Sequence, residues 1–191
     1  MLLLMVACMK ATDEAIVIPI RNRMIPETVL SLDYQDSLLQ YMPIYEGDTP
    51  PNIEGSYVAA PMTLVYASDR FTNDFYNLFW KTTNQNWWNR ITYHEWQGNA
   101  EGTASEAWVI GSGNCFTMYT VEQSRNETQG WNYEAVLILS GEKSDAGIIN
   151  YHYAIVMRNK CDDNGVLIEP DSYRVFMDGD SLSSVTNNVA K

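Results

Sequence analysis

Ile148-Ile149-Asn150-Tyr151-His152-Tyr153-Ala154-Ile155-Val156-Met157 is the stretch that decides the fold class. Ile149, Tyr151, Tyr153, Ile155 and Met157 fall on one face, and Asn150 and His152 on the other. Successive side chains of a strand point to opposite faces, so a period of two with one polar face marks an antiparallel sheet with one side in solvent. The run before it, 132–140, is apolar on both faces: Tyr133, Ala135, Leu137 and Leu139 alternate with Val136 and Ile138. Such a strand is covered on both sides, and the N-terminal extension is the expected cover.

Working outward, aromatic and β-branched runs alternate with Gly, Asn and Asp clusters from Ile53 onward. The expected strands are 54–66, 75–83, 90–97, 104–111, 115–123, 132–140, 147–158 and 172–177. Ser112-Gly113-Asn114 separates two of them at hairpin length, and 141–147 separates another pair. Asp162-Asp163-Asn164-Gly165 is a turn signal, and Asp178-Gly179-Asp180 closes the last run. Short links without intervening helices predict an all-β, antiparallel up-and-down meander. About eight strands is the number that closes a barrel with a filled or ligand-holding interior. A two-sheet sandwich predicts nearly the same pattern and stays open as the alternative.

Residues 9–52 read as a tether and N-terminal extension, with 53–191 as the β domain. Pro19 and Pro26 argue against a helix in the first part. Val29, Leu32, Leu38, Leu39 and Met42 have roughly helical spacing, so a short helix is expected within 28–42, ending at Pro43. Gly47-Asp48-Thr49-Pro50-Pro51-Asn52 is the break before the β domain.

The 191 residues carry a formal net charge of -12. Nucleic-acid binding needs the opposite sign, so that class of partner is set aside. An acidic surface also repels anionic lipid headgroups, so membrane contact should come through an anchor. That anchor is expected at Cys8. Met5-Val6-Ala7-Cys8 ends the apolar run Leu2-Leu3-Leu4-Met5-Val6-Ala7. It resembles the lipobox of bacterial lipoproteins, Leu-(Ala/Ser/Thr/Val)-(Gly/Ala/Ser)-Cys, with Met5 at the Leu position. Residues 1–8 then form a shortened lipoprotein signal, and the resemblance implies a diacylglycerol on the Cys8 thiol. It also implies an outer-membrane lipoprotein of the bacterial cell envelope. Lys10 followed by Asp13 and Glu14 is similar to the surface-export signal of Bacteroidetes lipoproteins. Cys115 and Cys161 remain, either to pair in an oxidising space or to pack as small buried hydrophobes.

A second resemblance lies at Ile53-Glu54-Gly55-Ser56-Tyr57. It resembles the Gly-x-Trp signature on the first strand of lipocalins and other calycins, with Tyr57 in the Trp position. In that family an Arg of the last strand packs over the aromatic ring, and Arg174 in Ser172-Tyr173-Arg174-Val175-Phe176 stands in the matching place. Lipobox, acidic tether, Pro-Pro break and β domain together look like the calycin-like lipoproteins of gut Bacteroidetes. The resemblance implies that a small apolar molecule binds in the barrel mouth. Tyr57, Tyr151, Tyr153, Met157 and Arg174 are the expected lining residues, with Tyr57 and Arg174 closing one end.

No catalytic pattern emerges, so a non-enzymatic role is expected, without metal or cofactor. His94-Glu95 lacks the spacing of a zinc helix, and Gly111-Ser112-Gly113 lacks the flanks of a nucleophile elbow. Asp162, Asp163, Asn164 and Glu169 do not match a calcium loop and read as a solvated turn. The recognition candidate is Asn84-Gln85-Asn86-Trp87-Trp88-Asn89. Trp87 and Trp88, with Asn86, could stack on sugar rings or anchor a protein interface, or the rings could fold back over the barrel end. Tyr76, Phe79 and Trp80 are expected in the core. Three roles follow: a lipid-anchored protein binding a small apolar or amphipathic ligand, a glycan- or protein-binding surface module, or a structural envelope lipoprotein.

Overall fold

The computed structural model describes residues 25–75 and 77–187. The expected signal and lipidation site at Cys8, most of the tether, and Tyr76 lie outside the described residues. Helix α1 (Leu32–Leu38) is followed by β1 (Asp48–Thr49), β2 (Gly55–Ala59), β3 (Met62–Ala67), β4 (Leu78–Thr83) and β5 (Arg90–Gln97). The long strands are β6 (Ala100–Ser112), β7 (Cys115–Asn126), β8 (Trp131–Lys143) and β9 (Gly147–Cys161), and the chain ends with β10 (Tyr173–Asp178) and β11 (Leu182–Val185).

The fold is all-β and up-and-down, in one antiparallel sheet with a barrel-like ring of eight strands. From β4 to β9 each strand pairs with the next in sequence. Closure comes from β10 and β11, which lie end to end along one edge of β9: Tyr173 pairs with Val156 and Leu182 with Ile149. On their far side β10 pairs with β3 and β11 with β2, so the ends of the ring meet, while β1 lies off it and pairs with β6. Loops after β3, β5, β7 and β9 therefore gather at one end, called the mouth, and loops after β4, β6 and β8 at the other, the base.

Three details differ from the sequence expectations, while the short helix falls within 28–42 as expected. The run 54–66 is broken into β2 and β3 at the cis Ala60–Pro61 bond. Proline has no N–H to give a ladder, and the chain bends there. The alternation of 148–157 slips at Asn150, which has φ 52, a left-handed conformation that Asn tolerates better than most residues. Ile148 is therefore buried, while Ile149 is 38% exposed. Finally, Phe79 is half-buried and out of phase with its buried neighbours Leu78 and Trp80.

The ring has two apolar layers. Its interior holds Tyr57, Trp80, Tyr93, Phe116, Met118, Leu137, Leu139, Tyr151, Tyr153 and Phe176. Its outer face is covered over β8, β9 and β10: Ile25, Leu30, Leu38 and Met42 pack against Val136, Ile138, Ala154, Val156 and Val175. Gln35 fastens this cover, its Nε2 donating to the carbonyls of Ile25 (3.1 Å) and Leu30 (2.7 Å). That cover is why 132–140 is apolar on both faces.

Candidate functional site

The base half of the ring is filled. Tyr57 stacks on Trp80 at 4.3 Å between centroids, and Trp80 stacks on Tyr151 at 5.2 Å. The Tyr57 hydroxyl donates to the carbonyls of Ile53 and Glu54, both at 3.2 Å. Three large rings in contact occupy the interior at this level.

The mouth half is different because β6 turns small residues inward there. Gly102 and Ala104 are buried on the inner face, and Ala100 opens the strand. A cavity of about 250 Å³ results. Phe71, Phe75, Leu78, Trp131, Ile155, Met157 and Phe176 give it an apolar wall, and Val166, Leu167 and Ile168 of the loop after β9 reach over it. That loop is held by side chains: Asp162 Oδ2 accepts from the Leu167 N–H at 2.7 Å, and Lys160 Nζ reaches Glu169 Oε1 at 2.8 Å. Asp162, its side chain buried rather than solvated as expected, and Glu169 thus hold the loop over the mouth.

Glu95 gives the cavity a polar floor. It is 6% exposed and lines the space from β5. Its Oε2 accepts from the Tyr93 hydroxyl and its Oε1 from the Tyr153 hydroxyl at 3.1 Å. Glu122 of β7 lies beside it, fully buried, and accepts from the Tyr133 hydroxyl at 3.3 Å. A Cβ at Gly102 would collide with the Glu122 carboxyl, so this glycine makes room for the acid. Glu122 Oε1 has no hydrogen-bond partner within the protein. Burial pushes the Glu95 carboxyl up to about 7, opposed by the hydrogen bonds from Tyr93 and Tyr153. Burial, and then the Glu95 charge, push Glu122 well above the ordinary carboxylate range. Both shifts favour the protonated form, and each acid disfavours a second charge on its neighbour.

At the rim, Arg174 lies over the Phe71 ring at 3.7 Å and its Nη2 meets Asp69 Oδ2 at 2.6 Å. Asp69 is partly buried, and the Arg174 guanidinium holds its carboxyl below the usual range. A larger groove of about 610 Å³ lies on the outer flank of the same end. Its lining is polar, with Arg125 and Asn132 exposed.

Of the residues expected to bind a ligand, Tyr153, Met157 and Arg174 line the cavity. Tyr57 and Tyr151 sit below it in the packed half. Arg174 does not cover Tyr57: the two lie at opposite ends of the ring, and Phe71 takes the guanidinium instead. Trp87 and Trp88 do not fold back over the base; they are 84% and 68% exposed, with ring centroids 4.7 Å apart. Asn86 builds their loop, its Oδ1 accepting from the N–H groups of Trp88 (2.9 Å) and Arg90 (3.2 Å). Asn84 and Asn89 supply its positive φ angles. His94 meets Glu101 at 2.8 Å and packs on Trp96. Cys115 and Cys161 are free and lie at opposite ends of the ring.

Sequence reasoning missed Glu95, Phe71, Phe75 and the loop residues 166–168 as cavity lining. A signal existed for the two acids: Ile91, Tyr93 and Glu95 share one phase of β5, and Phe116, Met118, Thr120 and Glu122 share one phase of β7. Among the described residues, no group of three or more His, Cys, Asp or Glu side chains could hold a metal ion, and no helix is long and apolar enough to cross a membrane. Comparison with known protein families, curated proteins and solved structures finds no match to this chain.

Proposed function

We propose that this chain is a lipid-anchored binding protein of the bacterial envelope that holds a small amphipathic molecule in the mouth of its ring, without a catalytic step. The observation that carries the reading is the mouth cavity itself, apolar on its walls and polar at its floor. An apolar space with a few convergent polar groups is the usual form of a small-molecule site. A dry cavity of roughly 150 Å³ already accepts benzene, so about 250 Å³ admits an aromatic ring or short chain with one polar group. The address rests on the lipobox-like Met5-Val6-Ala7-Cys8, and the calycin-like reading on Gly55-Ser56-Tyr57 at the first ring strand.

Binding is tested by NMR titration with benzyl alcohol, following the Met157 methyl. Saturable shifts, lost when Ile168→Trp fills the mouth, support the reading. Linear drift of that methyl up to millimolar probe overturns it.

The exposed Trp87–Trp88 pair favours a second site at the base, where flat indole faces would take a glycan or a protein surface. Protection of both indoles from chemical oxidation by envelope glycan fragments would support this reading. Unchanged oxidation at saturating glycan would remove its glycan form.

A further inference from the structure

We propose that the mouth cavity selects a ligand bearing an ammonium group on a small apolar body, with the Glu95 carboxylate as its counter-ion. The inference rests on the cavity being a binding site.

Glu95 is a buried acid at the floor of an otherwise apolar space. A carboxylate offers about four lone-pair positions. Tyr93 and Tyr153 use two and the neighbouring Glu122 carboxyl a third, so one is left for a donor arriving through the mouth. Glu122 supplies a second acid behind Gly102, with Oε1 unpartnered. Neither acid has an ion-pair partner among the described residues. Buried charge is ordinarily paired, because removing it from water is expensive. Packing alone would be better served by apolar side chains at both positions.

The groups facing Glu95 do not supply the missing cation. Tyr93 lies on its own strand, Tyr151 and Tyr153 come from β9, Glu122 from β7 and Tyr133 from β8. All are neutral or acidic. Among the described residues, the only cationic side chain lining the cavity, Arg174, is already bound to Asp69 at the rim. A ligand cation would therefore complete the pairing, and the net charge of -12 favours its approach. The flat Trp131 and Phe176 faces suit the apolar body.

The matched probes are benzylamine and benzyl alcohol, titrated against the whole protein at pH 8 by NMR or calorimetry. Benzylamine is expected to bind at least about tenfold more tightly, the step that one charge-assisted hydrogen bond gives. Glu95→Gln should collapse that preference to within about twofold. In the unsubstituted protein the preference should shrink toward unity as pH falls below 7 and Glu95 takes a proton; this arm stands even if the variant fails to fold. Equal binding of the two probes overturns the ammonium inference and leaves the cavity reading intact. A preference that survives in Glu95→Gln or persists unchanged to pH 5 also overturns it. Binding of neither probe overturns both readings.

Discussion

The Tyr153 hydroxyl donates to Glu95 Oε1 at 3.1 Å and so joins β9 to β5 across the inside of the ring. The bond crosses from one wall to the other and serves the charged form of the acid. Tyr153→Phe removes that donor and raises the Glu95 carboxyl further above about 7. The expected loss of stability is about 1–3 kcal/mol at pH 8, and less at pH 5, where the acid is protonated. Carbon-detected NMR titration of the glutamate carboxyls reads the shift directly. An unmoved Glu95 titration would show that the hydroxyl does not support the charge.

Glu95 also fixes a pH dependence of stability. Its folded value of about 7 lies above its ordinary 4.5, so between these pH values the folded chain binds more protons than the unfolded one. Stability therefore falls as pH rises through that window, and Glu122 extends the fall to higher pH. Glu95→Gln abolishes the Glu95 part. The variant should gain about 1–3 kcal/mol over the parent at pH 8 and little at pH 4.5. Urea unfolding at the two pH values checks this, and an equal difference at both would contradict it.

Gly102 and Glu122 share one small volume. Gly102→Ala alone should cost about 1–3 kcal/mol, because the added methyl meets a buried carboxyl. With Glu122→Ala in the same chain much of that cost should vanish, giving a coupling of the order of 1 kcal/mol in a double-mutant cycle. Additive losses would mean that the carboxyl moves aside freely.

The two tryptophan environments predict opposite outcomes. Trp80 is sandwiched between Tyr57 and Tyr151, and Trp80→Ala should cost about 3–5 kcal/mol. Trp87→Ala and Trp88→Ala should each stay within about 0.5 kcal/mol, since both rings stand in solvent. Thermal unfolding of the three variants measures the contrast. A large loss at Trp87 would place that ring in a structural role.

The ring was legible because its evidence is local. Period-two runs and Gly113, Asn114 and Gly147 at hairpin points mark strands whose partners are their sequence neighbours. The covered face of β8 was legible for the same reason, since Val136 and Ile138 have no purpose in water. What escaped depends on contacts between distant residues. The bend at Pro61 is written locally, but that it hands one run to two partners is not. Tyr57 and Arg174 were paired by position in the chain, whereas strand direction puts them at opposite ends. Glu95 stood in the inward phase of β5 between Tyr93 and Gln97, and only the meeting of β5 with β7, β8 and β9 gives that position meaning. The cavity depends on small residues of β6 facing large ones elsewhere, a difference of volume that no single strand displays.

The end-to-end arrangement of β10 and β11 also bears on how the ring assembles. Strands β4 to β9 can zip hairpin by hairpin at low entropic cost, each pairing with its immediate predecessor. The clasp cannot: Val185 must find Tyr57 from the far end of the described chain, through one of the shortest strands in the molecule. Closing so long a loop is costly before any contact rewards it. The clasp therefore forms last and opens first, so amide exchange should be fastest at β11 and β2 while β7 and β8 remain protected. Fast exchange confined to this seam would show local opening of the ring without global unfolding.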